Sequence, residues 1–538
     1  RAAALFSASG ALSSACVPAF IATPLNGLFF MESVGSMHLN EFFSQRKTRK
    51  MNNLSAMMRE IEGYLTPAII DSAKRCSHRL LAALPDSEQL SRNRVLLAYG
   101  GGKDSSYMVA YVRYIQGLIW RQRGDTFRLR ISTNRHAAMS DSVMENIDRV
   151  YRALAIHHDA FVESLIVDGQ QIRPFERHLS LPDSVRQQNR SDVLMNGHRF
   201  RADARSTFCN ACNLSMVNSF GLAAHYNGGV DMIITGDSPQ EQTAYVAWAR
   251  HLSRLFDAPT AEKDRGFRGF LQTLDGVAHR YSAAIHGEAA VTPARRIMHQ
   301  LTRDPLFFNI YQDTAYEAGA HWALLNDFMR FRFDPLMFSF SESDCGNPTL
   351  MAHIRGLRAE TLLQRSYAEG IREYVRFALG LMAQKDFPPQ LIAEMAARYQ
   401  DETAIEQQRQ RAARFAEETF GLDETQLICM IYSPFIAQGS QLHSWLTQQR
   451  IGLDEAAIRQ LLAGERNDAA LAQQLGQLSG LDIDQLRHCW QSRQVSSLLE
   501  GKSADPLSRV LRFDPHKAVI QVNHGVLQDT VTEVISGR

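Results

Sequence analysis

The chain has 538 residues, which at about 150 residues per domain is roughly three to four domains' worth of sequence. Apolar residues are 45% and charged residues 21% of the total, excluding a wholly disordered or fibrous chain. Lys and Arg number 58 against 57 Asp and Glu, for a net charge of +1. A uniformly basic nucleic-acid coat and an acidic tail protein are therefore excluded, whereas a local basic patch is not.

Seven cysteines are too sparse for a disulfide scaffold, and their odd number fits a reducing, cytoplasmic setting. No uninterrupted apolar run reaches membrane-spanning length, so no membrane partner is expected. Residues 1–50 are left outside the fold. Arg1 to Phe30 is acid-free and broken by Pro18 and Pro24. It reads as a disordered, over-extended or fragmentary start in preference to the alternative of a signal or transit peptide, with Met31, Met37 and Met51 as candidate starts.

Helical periodicity begins at Met51, with Leu54, Met57, Met58, Ile61 and Leu65 on one face, and a second helix is expected over Pro67–Ala83. These elements form a helical segment over 51–90. Val95–Tyr99 is a short apolar run ending in three glycines, as a buried parallel strand would be. Met108, Val112, Ile115 and Ile119 then repeat at helical spacing. Further strands are expected over Phe127–Ser132, Ala160–Val167 and Val230–Thr235, with a helix over Asn146–Ala155. Such alternation predicts an α/β fold with a doubly wound parallel sheet. Residues 168–208 read as an irregular, polar insertion and 250–330 as mostly helical, with one more strand over Leu336–Phe340. We place this unit at 91–360 and a mostly helical carboxyl region at 361–538. Within the latter, 453–490 resembles a small helical bundle more than a DNA-reading helix-turn-helix, having few basic residues at recognition positions.

The chemistry concentrates in Tyr99-Gly100-Gly101-Gly102-Lys103-Asp104-Ser105-Ser106. Glycines between a strand and a helix let the backbone approach an anion, and the helix start presents amides and a positive dipole end. Lys103 adds charge, and only 8 of the 58 basic residues are Lys. Asp104 makes sense beside phosphate if magnesium lies between them. A Walker loop fails because Leu97 stands at its first glycine and Asp104 follows the Lys; a dinucleotide fingerprint fails at Ser105 and at Ser132-Thr133-Asn134.

The run GGGKDSS after an apolar strand resembles the pyrophosphate loop of the PP-loop ATP pyrophosphatases, S-G-G-x-D-S. Gly101, Gly102, Asp104 and Ser105 match, and Gly100 replaces the first Ser. The resemblance spans roughly residues 91–260, reaching 360 with insertions. It implies a HUP-like doubly wound sheet that cleaves ATP to AMP and pyrophosphate and adenylates a substrate oxygen. It also implies ATP contacts from Gly100, Gly101, Gly102, Lys103, Asp104, Ser105, Ser106, Ser132, Thr133, Gly236 and Asp237. Asp104 and Asp237 are the implied magnesium-side acids, with Lys103 catalytic beside them; Asp237 alternatively caps the next helix. Arg135 and His136, after the second strand, are placed where they could reach phosphates.

Cys209-Asn210-Ala211-Cys212 is half a metal site by itself, and Cys345 lies in a polar, turn-rich segment. Among PP-loop proteins a CxxC plus one distant cysteine looks like the tRNA thiolation enzymes. That resemblance implies that Cys209, Cys212 and Cys345 hold a [4Fe–4S] cluster, with Cys209 and Cys212 catalytic. Zinc binding, disulfide or persulfide chemistry, and no special role stay open. Arg186, Arg190, Arg199, Arg201 and Arg205 form a locally basic stretch suited to a polyanion or nucleotide, or simply a solvated loop.

The first expectation is an enzyme that uses ATP and magnesium to activate a carbonyl for sulfur transfer. Its acceptor would be tRNA or a small molecule, with a sulfur-donor protein as a further partner. The second is an amide-forming ligase or amidotransferase with a structural metal at the cysteines. The third is a non-catalytic nucleotide sensor whose helical region binds a partner.

Overall fold

Val95, Leu96 and Leu97 are each fully buried, as a strand covered on both faces must be. The computed structural model describes residues 53–157, 159–202, 204–236, 249–250, 253–254, 266–314, 321–334, 336, 346–384, 387–495, 507, 519–523 and 526–530. Helices α1 (53–62) and α2 (Pro67–Ala83) precede β1 (Arg94–Ala98), α3 (Lys103–Arg123), β2 (Arg128–Arg135), α4 (Asp141–Ala153) and β3 (Val162–Asp168). Next come β4 (Gln171–Pro174), α5 (Asp183–Phe200), α6 (Ala204–His225), β5 (Met232–Thr235), α7 (Phe267–His286) and β6 (Leu306–Asn309). The six strands form one sheet in the order β4-β3-β2-β1-β5-β6. Each neighbouring pair is parallel except β3–β4, which is antiparallel.

Strand alternation divides the core. Val95, Leu97, Leu129, Ile131, Met232 and Ile234 join α1 to α4 in one hydrophobic cluster. Leu96 and Ile233 point the other way, into a cluster with α6 and α7. Helices thus cover both faces of the sheet. At full burial each such side chain contributes about 1.5–3 kcal/mol. α2 starts where Thr66 caps it, accepting the Ile69 amide at 3.3 Å, and Pro67 occupies its first turn.

The carboxyl region follows as α8 (Asn347–Thr361), α9 (Tyr367–Gln384), α10 (Pro389–Ala397), α11 (Glu402–Phe420) and α12 (Glu424–Tyr432). It continues through α13 (Leu442–Gln448), α14 (Glu455–Ala463), α15 (Ala469–Ser479) and α16 (Ile483–Gln491) to a hairpin of β7 (Val519–Asn523) and β8 (Val526–Thr530). A third hydrophobic cluster joins this region to α5 and the end of α7, through Val193, Leu194, Met195, Tyr281 and Ile285. The helical core therefore draws on chain well upstream of residue 361. Among the described residues, no helix is long and apolar enough to cross a membrane.

Three expectations are corrected. Residues 168–208 are not irregular: they contain β4, α5 and the start of α6. α5 escaped notice because its buried positions include Asn189, Asp192, Asn196 and His198, so tertiary packing buries polar residues and leaves no apolar stripe. The helical reading of 250–330 missed β6, a four-residue edge strand too short to show a period. The helix expected from Asn146 begins five residues earlier, at Asp141. The strand expected over Leu336–Phe340 lies outside the described residues except Leu336, which is in a turn.

Candidate functional site

The chain leaves β1 for β2 and β3 on one side, then returns to β5 on the other. In an open parallel sheet this reversal opens a crevice beyond the carboxyl ends of the central strands, where ligands bind. Here the reversal falls between β1 and β5, and the loop at Gly100–Gly102 and Gly236 follow the carboxyl ends of those two strands.

The loop is built for close approach. Tyr99 still donates its amide to Ser132 O at 2.9 Å, and Gly100 then becomes exposed. Gly101 has φ +89°, and a Cβ there would sit 2.6 Å from Val143 Cγ1. Only glycine satisfies both constraints. Gly102 caps α3, and the Ser106 amide donates to Gly102 O at 2.8 Å as the first helical bond. The amides of Lys103, Asp104 and Ser105 therefore precede the helical ladder, at the positive end of a 21-residue helix. Ser105 Oγ accepts the Gly102 amide at 3.1 Å and also contacts Gly102 O.

Lys103 pairs with Asp104, and its ammonium lies 5.2 Å from the centre of the Phe387 ring. The Lys103 side chain is 11% exposed and that of Asp104 is 41% exposed, so the carboxylate is the group nearer solvent. Ser106 is fully buried, with its hydroxyl 2.9 Å from Tyr99 Oη. It braces the strand–helix junction from inside. Gly236 faces α3, where a Cβ would meet Met108 Sδ at 2.5 Å, and this holds the end of β5 against the helix that carries the loop. Asp237 lies outside the described residues.

On the β2 side, Thr133 is fully buried and Ser132 is 5% exposed; among the described residues Ser132 Oγ has no hydrogen-bond partner. A buried hydroxyl left unsatisfied costs about 1–3 kcal/mol, which a bound polar ligand can recover. Arg135 and His136 do not serve as phosphate contacts. Both Arg135 Nε and Nη2 donate to Asp168 at 2.7 Å, and Nη2 also reaches Ser180 O at 3.0 Å. His136 Nδ1 accepts the Ala138 amide at 3.2 Å, and burial pushes its pKa down to about 4. Burial thus favours the neutral ring, and its Nδ1 is committed to the backbone.

Cys209 and Cys212 both lie on α6, three residues apart and so on neighbouring positions of one helix surface. Cys212 is half-buried. The Cys209 side chain and Cys345 are outside the described residues. Among the described residues, no group of three or more His, Cys, Asp or Glu could hold a metal. Two contacts nevertheless bring the neighbourhoods of these cysteines toward the end of β2. Ser215, one turn beyond Cys212, donates to Asn134 Oδ1 at 3.3 Å. Gly346, which follows Cys345 in sequence, donates its amide to Ala138 O at 2.9 Å.

The basic stretch has a different job from the one expected. Arg186 donates to Glu418 O at 2.8 Å, and Arg190 to Phe420 O at 2.9 Å and to Gly421 O. Both therefore satisfy carbonyls at the end of α11. Arg199 donates to Ala284 O at 2.5 Å and Arg493 O at 3.0 Å. These three guanidiniums fasten α5 to the helical core and are not displayed to a polyanion. The Arg205 side chain lies outside the described residues.

Phe387, from the carboxyl region, was not anticipated as part of the loop's surroundings; nothing in its local sequence marks it. No family model, curated protein or solved structure matches the chain.

Proposed function

We propose that the chain is a PP-loop-type enzyme, with a HUP-like sheet, that adenylates a substrate carbonyl with ATP. The observation carrying this reading is the loop itself: a left-handed Gly101 and an open Gly100 lead into the first amides of α3, at the reversal of strand order. Lys103 and Asp104 stand at the same helix start. In this reading the amides of Gly101, Lys103, Asp104 and Ser105 cradle the β- and γ-phosphates. Asp104 turns from Lys103 to the magnesium that accompanies the nucleotide, and Asp237 is the second acid assigned to that ion.

The substrate oxygen attacks the α-phosphorus. The bond to the bridging oxygen breaks, and pyrophosphate leaves with the bonding electron pair while Lys103 neutralises the charge that develops on it. A nucleophile then adds to the activated carbon and AMP departs. Sulfur from the Cys209–Cys212 side is the nucleophile we favour, because Ser215 and Gly346 draw the flanking chain toward the end of β2. Those thiolates supply the soft donor type that an Fe–S cluster or zinc takes.

The test is nucleotide analysis after incubating the full chain with ATP and magnesium, in cell extract as the acceptor source. AMP and pyrophosphate are expected, with formation lost in Asp104→Ala. ADP and phosphate would refute the reading, and nucleotide binding without turnover would point to a sensor. Anaerobic purification separates the nucleophiles: a visible Fe–S absorbance that disappears in Cys209→Ala supports sulfur, whereas a colourless zinc protein supports an amine.

A further inference from the structure

β6 ends the sheet on the side away from β4, so one of its edges has no neighbouring strand. Leu306 and Ile310 donate their amides inward, to Asp231 O at 2.9 Å and Thr235 O at 3.0 Å. By strand alternation the N–H and C=O of Phe307, between them, point outward, and among the described residues nothing bonds them. An open edge recruits another strand unless charge, proline or a covering element blunts it. Within Leu306–Asn309 there is neither charge nor proline. Leu306 and Phe307 are instead 52% and 54% exposed, one on each face of the sheet.

Two features select what covers this edge. The first is that the strand complements itself. An antiparallel copy centred on Phe307 sets that residue opposite itself, as a hydrogen-bonded pair exchanging both bonds. Residue 305 of each chain then falls opposite 309 of the other. Pro305 has no N–H to give, and Asn309 O is already taken by Arg79 Nη2 at 2.7 Å, so the missing donor meets an acceptor that needs none. Phe307 packs on Phe267 with ring centres 5.3 Å apart, and Phe267 stacks on Phe270. Two such aromatic columns would meet at Phe307.

The second feature is charge. Asp304, exposed before the amino end of β6, makes no ion pair among the described residues, whereas Arg303 beside it is paired with Asp231. Near the carboxyl end, Arg79 lies 4.1 Å over the Phe308 ring and pairs with Asp313. Arg75, one turn earlier on α2, is exposed and makes no ion pair among the described residues. An antiparallel copy carries the acidic end of each chain toward the basic end of the other.

We propose that β6 pairs antiparallel with β6 of a second copy of this chain, about a two-fold axis at Phe307, joining two six-stranded sheets into one. The inference does not depend on the adenylation reading. The glycine loops, beyond the carboxyl ends of the two parallel sets, would then face opposite ends of the joined sheet.

The test is sedimentation velocity on the full chain across a range of concentration. The pairing is short, so a reversible dimer with a Kd of about 10–100 μM is expected. Phe307→Lys, at an exposed position, sets like charges opposite each other and should weaken it at least about tenfold. Asp304→Arg and Arg75→Asp should each weaken it, and the two together should restore it. Phe307→Cys under mild oxidation should yield a cross-linked dimer, because facing residues of such a pair have Cα atoms about 5.5 Å apart. Leu306→Cys, whose counterpart lies two residues out of register, should not exceed the wild-type background. A monomer up to about 500 μM, a dimer indifferent to Phe307→Lys, a double charge variant no better than its single variants, or cross-linking at 306 in preference to 307 overturns the proposal. So does a Phe307 amide already protected from hydrogen exchange in dilute monomer, which would put another segment of this chain on the edge.

Discussion

Gly101→Ala probes the loop through two separable costs. The backbone at φ +89° is left-handed, which costs an L-residue about 1–2 kcal/mol. The new methyl would also lie 2.6 Å from Val143 Cγ1 and 3.1 Å from Ile147 Cδ1, and overpacking of this kind costs about 1–3 kcal/mol. Lower chain entropy in the unfolded state returns about 0.4–1 kcal/mol. The net expectation is a loss of about 1–4 kcal/mol. Urea denaturation measures it, and hydrogen exchange at the first turn of α3 locates it.

Val143→Ala removes the closest obstacle, so the double variant should recover most of the overlap but none of the backbone cost. The coupling energy is expected at about 1–2 kcal/mol. Gly100→Ala, at an exposed position outside the left-handed region, should stay within about 0.5 kcal/mol of the wild type. If Gly101→Ala were equally neutral, or simply additive with Val143→Ala, the account of the loop's packing would be wrong.

Asp168→Ala strands Arg135, whose side chain is 6% exposed. It should destabilise the protein by about 3–5 kcal/mol in urea denaturation, and a loss below about 1 kcal/mol would show the pair to be solvated. His136, buried with a folded pKa of about 4 against an ordinary 6.5, takes up its proton more readily when unfolded. Its contribution is therefore fully present above pH 6.5 and is lost as pH falls toward 4. His136→Asn should flatten the pH dependence of stability across that window by up to about 3 kcal/mol. An unchanged slope would mean that the imidazole protonates inside the fold.

The β1–α3 loop and the central strands were legible because local chemistry dictates them. Val95–Tyr99 followed by three glycines and a helical repeat has few conformational solutions, and the glycines can be read for backbone freedom without knowing their neighbours. Gly101 already implied a special backbone in sequence, but that Val143 closes the space above it came only from the packing of α4. The fate of the arginines was not legible at all. Arg135, Arg186, Arg190 and Arg199 carry the same charge in sequence whether they meet phosphate or carbonyl, and only the fold set them against Asp168 and the helix ends. α5 was hidden for the same reason, since its buried Asn189, Asp192 and Asn196 are polar in isolation and satisfied only in place. Backbone conformation and apolar periodicity are short-range properties that a few adjacent residues determine. Partner choice among polar groups is decided by which distant segments tertiary packing delivers within hydrogen-bonding distance.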